Sequence, residues 1–97
     1  MHISEFQKLM KEKLYEKDKK MGVIFLLSVL IEEIGELSRA IRKESKKEVE
    51  EEISDVFFTL ISIANLLHVE IEPLLIEKYV NRPLNEISRK WIDVDWK

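Results

Sequence analysis

Two stretches of this chain set apolar residues at alternating steps of four and three. One holds Val23, Leu27, Leu30, Ile34, Leu37 and Ile41; the other holds Val49, Ile53, Val56, Leu60, Ile63 and Leu67. Such steps keep every member on one side of an α-helix, and two helices so marked form the seam of a hairpin or bundle. The link around Glu44 is short, so the two helices should be antiparallel neighbours. Two Gly and two Pro in 97 residues leave few places to turn, which favours a few long helices over many short strands. The expected fold is all-α, a four-helix-bundle-like single domain over 1–97, with a core of about 5–83 and a C-terminal tail, 84–97.

Local signals set the expected boundaries. Helix 1 should run from about Glu5 to Lys17, with Ser4 and Gln7 at capping-box spacing and Phe6, Leu9, Met10 and Leu14 on its apolar face. Gly22 marks a break, and helix 2 follows from Val23 to about Lys43. Helix 3 has the clearest start, Ser45 as N-cap with Glu48 three residues on, and continues to about Leu67. Helix 4 should begin near Pro73 and end before Pro83, because a residue preceding proline is pushed out of helical geometry. Leu84, Ile87 and Trp91 carry helical spacing into the tail.

Acidic residues fall into register on this frame. At about 100° per residue, Glu33 and Glu36 lie roughly 110° from the centre of the helix 2 seam. Glu52 and Asp55 lie roughly 90° from the helix 3 seam in the same rotational sense. In an antiparallel pair with facing seams, equal angles of one sense reach the same side. The pairs are also level, since they stand at similar distances from the turn. Leu26, Val29 and Ala40 share the helix 2 flank, so the carboxylates continue an apolar surface. Glu32 points further round. Gly35, between the two glutamates, costs about 1 kcal/mol relative to Ala in a helix and is read as a close approach. Glu44, Glu48, Glu50 and Glu51 are assigned to capping and surface, with Glu48 nearest the group.

Four carboxylates at one level repel. A pair at about 4 Å costs on the order of 4 kcal/mol at an effective dielectric of 20, so either protons or cations must sit among them. An all-oxygen set without His or Cys suits Mg²⁺ or Mn²⁺, and two such ions would balance four charges and clamp a triphosphate. A di-iron bundle is disfavoured because its Glu-x-x-His pairs have no counterpart here.

Composition closes other routes. The chain has no Cys, which removes disulfides, thiolate metal sites and Cys nucleophiles. A net charge of -3 gives no general attraction to a nucleic acid polymer. The longest apolar run, Val23 to Ile31, includes Ser28 and is about half the length of a membrane span. The polar N-terminus does not read as a signal peptide, so a soluble cytoplasmic protein is expected. His68 reads as a helix-end residue and His2 as a disordered terminus. Phe6, Phe25, Phe57 and Phe58 read as core or interface, and Trp91 and Trp96 as packing on a partner subunit.

Glu33-Ile34-Gly35-Glu36, fifteen residues, then Glu52-Ile53-Ser54-Asp55 resembles the signature of MazG-type nucleotide pyrophosphohydrolases, within the all-α NTP pyrophosphohydrolase superfamily. The flanking Leu30-Ile31-Glu32-Glu33 and Asp55-Val56-Phe57-Phe58 are similar to that family's motifs too, and the likeness covers about Phe6 to Pro83. The resemblance implies Mg²⁺-dependent hydrolysis of a nucleoside triphosphate to monophosphate and pyrophosphate. It implies metal ligands Glu33, Glu36, Glu52 and Asp55 and a homodimer or homotetramer; on chemical grounds a carboxylate of the set orients the water or takes its proton, Glu36 being the first choice and Glu33 the second. It brings in Lys78 and Asn81, a Lys-x-x-Asn element for substrate, followed by Arg82, where the immediate Pro83 departs from the family spacing. Related dUTP-, dCTP- and phosphoribosyl-ATP-cleaving enzymes share the pattern. The rival from another class is a non-catalytic helical oligomerisation or regulatory module, against which the intact acidic set argues.

Overall fold

The computed structural model describes residues 1–83 together with 86 and 87. The fold is all-α. Its elements are α1 (Ile3–Met21), α2 (Val23–Arg42), α3 (Lys46–Leu66) and α4 (Ile71–Leu75), the last continued by a π-helical turn (Ile76–Val80). Leu84, Trp91 and Trp96 of the tail lie outside the described residues.

The starts and stops follow the local chemistry, with two corrections. Ser45 caps α3 as expected, its Oγ accepting from the Glu48 N–H at 3.4 Å. The expected cap of α1 is different: His2 is the N-cap and Glu5 the reciprocal partner, its Oε1 accepting from the His2 N–H at 3.1 Å. Helix α1 is longer than expected at both ends. Ser4 and Gln7 are used at long range instead. Ser4 Oγ donates to Glu72 at 3.2 Å, and Glu72 also accepts from the Ile3 N–H at 2.9 Å. Helix α4 begins at Ile71, which leaves Pro73 inside the first turn, and ends before Pro83. Its π turn is closed by the Asn81 N–H reaching the Ile76 carbonyl at 2.9 Å.

One residue, Gly22, joins α1 to α2. Its φ of 89° is one that a side chain would strain, and its N–H closes α1 on the Asp18 carbonyl at 2.8 Å. At the joint between α3 and α4, His68 takes φ 57° just past α3, a helix-end position as expected. Helices α2 and α3 form the antiparallel hairpin, α1 packs on the C-terminal half of α3, and α4 packs on α1. Gln7 ties this end together. It is buried, its carboxamide donates to the Val69 carbonyl and accepts from the Ile71 N–H, and its own carbonyl accepts from Asn65 Nδ2 at 3.0 Å.

The hairpin is rotated from the expected seam. The packed stripe of α2 is Leu26, Val29, Glu33, Leu37 and Ala40; that of α3 is Ser45, Glu48, Glu52, Val56, Thr59, Ile63 and Leu66. Both obey three–four spacing, but their centres lie roughly 80° and 60° from the all-apolar stripes, towards the carboxylates. Small side chains at Ala40 and Thr59 allow the approach, and each stripe is apolar towards the far end of the hairpin. Several residues of the expected seam stand exposed, Ile41 at 56% and Ile53 at 54%, with Leu27, Ile34 and Leu60 also open; Ile31, at 62%, and Phe57 beside them are exposed too. Phe25 and Phe58 are likewise exposed, so the phenylalanines of the hairpin do not form a core within one chain. Among the described residues the buried apolar side chains are Leu26, Ala40, Ile61 and Ala64. No single described helix is long and apolar enough to cross a membrane.

Candidate metal centre

The rotation of the hairpin is what builds the site. Glu33 sits in the packed stripe of α2, one turn from Val29 and one from Leu37, and Glu52 sits in that of α3, one turn from Glu48 and one from Val56. Each is therefore half-buried against the opposite helix. Glu36 follows Glu33 by one turn at the exposed edge of the groove. One carboxylate oxygen from each of Glu33, Glu36 and Glu52 lies within 4.8 Å of the others. Asp55, one turn beyond Glu52, is exposed and outside that group, though its charge is felt by Glu52. The register inferred from helical angles thus brings three of the four residues together and leaves the fourth alongside.

The electrostatics are those of a site short of positive charge. Glu33 Oε2 and Glu52 Oε2 are buried without a hydrogen-bond partner when both carboxyls are ionised. Burial, a hydrogen bond shared with Glu33, and the charges of Glu36, Glu33 and Asp55 push the Glu52 carboxyl from 4.5 up to about 7. A proton on Glu52 gives the Glu33–Glu52 pair one donor; a cation between them would serve all the oxygens at once. Oxygen donors without His or Cys match the preference of Mg²⁺ or Mn²⁺.

The neighbouring residues are otherwise engaged. Glu48 lies one turn from Glu52 and is held by Lys43 Nζ at 3.0 Å across the turn. A Cβ placed on Gly35 would meet nothing within 4 Å, so the close approach expected there does not occur within the chain. Lys78, Asn81 and Arg82 stand exposed on and after the π turn. Lys78 Nζ lies 5.6 Å from the Tyr79 ring centre, and Arg82 meets Glu77 at 3.7 Å. Among the described residues no ion pair joins them to the carboxylates.

A site of this kind, between two antiparallel helices that each offer an acidic pair, can be compared with known proteins. No match was found among curated proteins. A family model, that of the MazG nucleotide pyrophosphohydrolase domain, matches residues 23–87, which takes in both helices of the hairpin and all four carboxylates. That match spans well over half of the chain, and the chain belongs to the MazG nucleotide pyrophosphohydrolase domain family.

Proposed function

We propose that this chain hydrolyses a nucleoside triphosphate, ribo or deoxy, to the monophosphate and pyrophosphate. The required ion is Mg²⁺, with Mn²⁺ as a substitute, held by Glu33, Glu36, Glu52 and Asp55. The observation that supports this reading most directly is the meeting of Glu33, Glu36 and Glu52 within 4.8 Å, with buried oxygens that lack partners. A bound ion supplies Lewis-acid chemistry, drawing charge from phosphate oxygens and making water a better nucleophile.

The residues divide the remaining work by position. Glu36, exposed at the open edge, would orient the attacking water and accept its proton, with Glu33 beside it. Glu33 and Glu52, fixed by packing, hold their oxygens in place. Lys78 and Arg82 supply positive charge for the phosphates, and Asn81 a neutral donor and acceptor. Removal of unwanted nucleotides from the cellular pool is the role such a reaction suits, in a soluble cytoplasmic protein.

Assembly into a homodimer or homotetramer belongs to the same proposal. Ile31, Ile34, Ile41, Ile53, Phe57 and Leu60 are many exposed apolar groups beside the four buried ones among the described residues. A panel of NTPs and dNTPs with Mg²⁺, followed by ion-exchange analysis, tests the chemistry. Monophosphate and pyrophosphate are expected; nucleoside diphosphate and orthophosphate as main products overturn the assignment.

A further inference from the structure

At the far end of the hairpin lies a hollow that the hydrolytic reading does not use. It has a volume of about 470 Å³, within the roughly 300–1,000 Å³ of small-molecule sites, and opens between α1, the end of α3 and the turn into α4. We propose that it is a second, metal-independent site, which takes the phosphate group of a mononucleotide.

The walls carry the charge and the floor is rigid. Lys8 and Lys11 line one side, one turn apart on α1, and His68 lines the other. Among the described residues that line it, Glu70 is the one carboxylate, so the hollow favours anions in a chain whose net charge is -3. Lys11 Nζ lies 5.5 Å from the ring centre of Tyr15, which in turn lies 6.1 Å from that of His68. Of the two rings, His68 lines the hollow, so two ammonium groups and one imidazole ring border it, a pairing that suits a phosphate with an attached base. Gln7 and Asn65 form the floor, both buried and both held by hydrogen bonds, so no side chain there must be reordered on binding. Asn65 follows Glu52 by thirteen residues on α3, about 20 Å along the helix, which keeps this site apart from the carboxylates.

The test is a titration of the full chain in EDTA, followed by amide chemical shifts, at constant ionic strength. The probes are AMP, CMP, inorganic phosphate and the phosphate-free nucleosides. Saturable shifts are expected at Lys8–Tyr15 and Asn65–Glu70 with the monophosphates, and none with the nucleosides. The double variant Lys8→Ala/Lys11→Ala should bind on the order of a hundredfold more weakly, about tenfold for each charge-assisted hydrogen bond removed. Glu36→Gln should bind as the parent does, which separates this site from the hydrolytic one. Shifts centred on Glu33, Glu36 and Glu52 would overturn the proposal, as would unchanged affinity in the double variant or absence of saturation. Inorganic phosphate binding as tightly as AMP would overturn the nucleotide assignment.

Discussion

Replacing Glu36 by Gln keeps the side chain's size and removes its charge. If the carboxylate orients water and shares a cation, hydrolysis should fall on the order of 10²–10⁴-fold. Ligand-linked stabilisation follows affinity, so Mg²⁺ should raise the melting temperature less in Glu36→Gln than in the parent. Equal Mg²⁺-induced shifts would remove Glu36 from the site. Glu52 makes a different prediction, through its proton. Its pKa is about 7 in the folded chain, against an ordinary 4.5. The folded state therefore binds the proton more tightly than the unfolded state. The contribution is most favourable below pH 4.5, declines as pH rises through 4.5 to 7, and is flat beyond. In EDTA the parent should melt higher at pH 5 than at pH 8, and Glu52→Gln should narrow that difference. An undiminished difference would show that other groups cause it. The rough placement of these carboxylates is legible in the sequence because helical angle depends only on residue number. The role of Gln7 is not, because Ser-x-x-Gln spacing suits a local cap whether or not one forms; its partners, Val69 and Ile71, are remote in sequence.

Among the elements, α1 is tied by directional bonds to the end of α3 and to the start of α4. Gln7→Ala would leave the Val69 carbonyl and the Ile71 N–H without partners in a part-buried setting. The expected loss is about 1–3 kcal/mol in urea unfolding. A loss within about 0.5 kcal/mol would mean that water replaces both bonds without cost. The hairpin shows where periodicity is informative and where it stops. Its two helices, their direction and the Ser45 cap all follow from spacing. Which stripe faces inward does not, because α2 and α3 each carry two stripes with valid three–four steps. The fully apolar stripe is the natural choice for a hairpin standing alone. The stripe that packs instead contains Glu33 and Glu52, and the small residues Ala40 and Thr59 are the signal that it packs closely.

At the scale of the molecule, the exposed stripe decides whether one chain is the working unit. Ile34 is 49% exposed and Phe57 is 42% exposed, so within a single chain Ile34→Glu or Phe57→Glu should cost only the partial apolar burial lost, about 1–2 kcal/mol. Covered by a second copy, the same substitutions bury an unpaired charge. We expect the parent to be oligomeric at micromolar concentration by light scattering, and either variant to dissociate. A monomeric parent would sink the proposal. The small buried set then acquires a thermodynamic meaning. With Leu26, Ala40, Ile61 and Ala64 as the buried apolar residues among those described, a lone chain has little to oppose its conformational entropy. Association would supply the rest, and mass action would enter the folding equilibrium. Melting temperature should then climb with protein concentration, and the protein's abundance in a cell would set how much of it is folded at all.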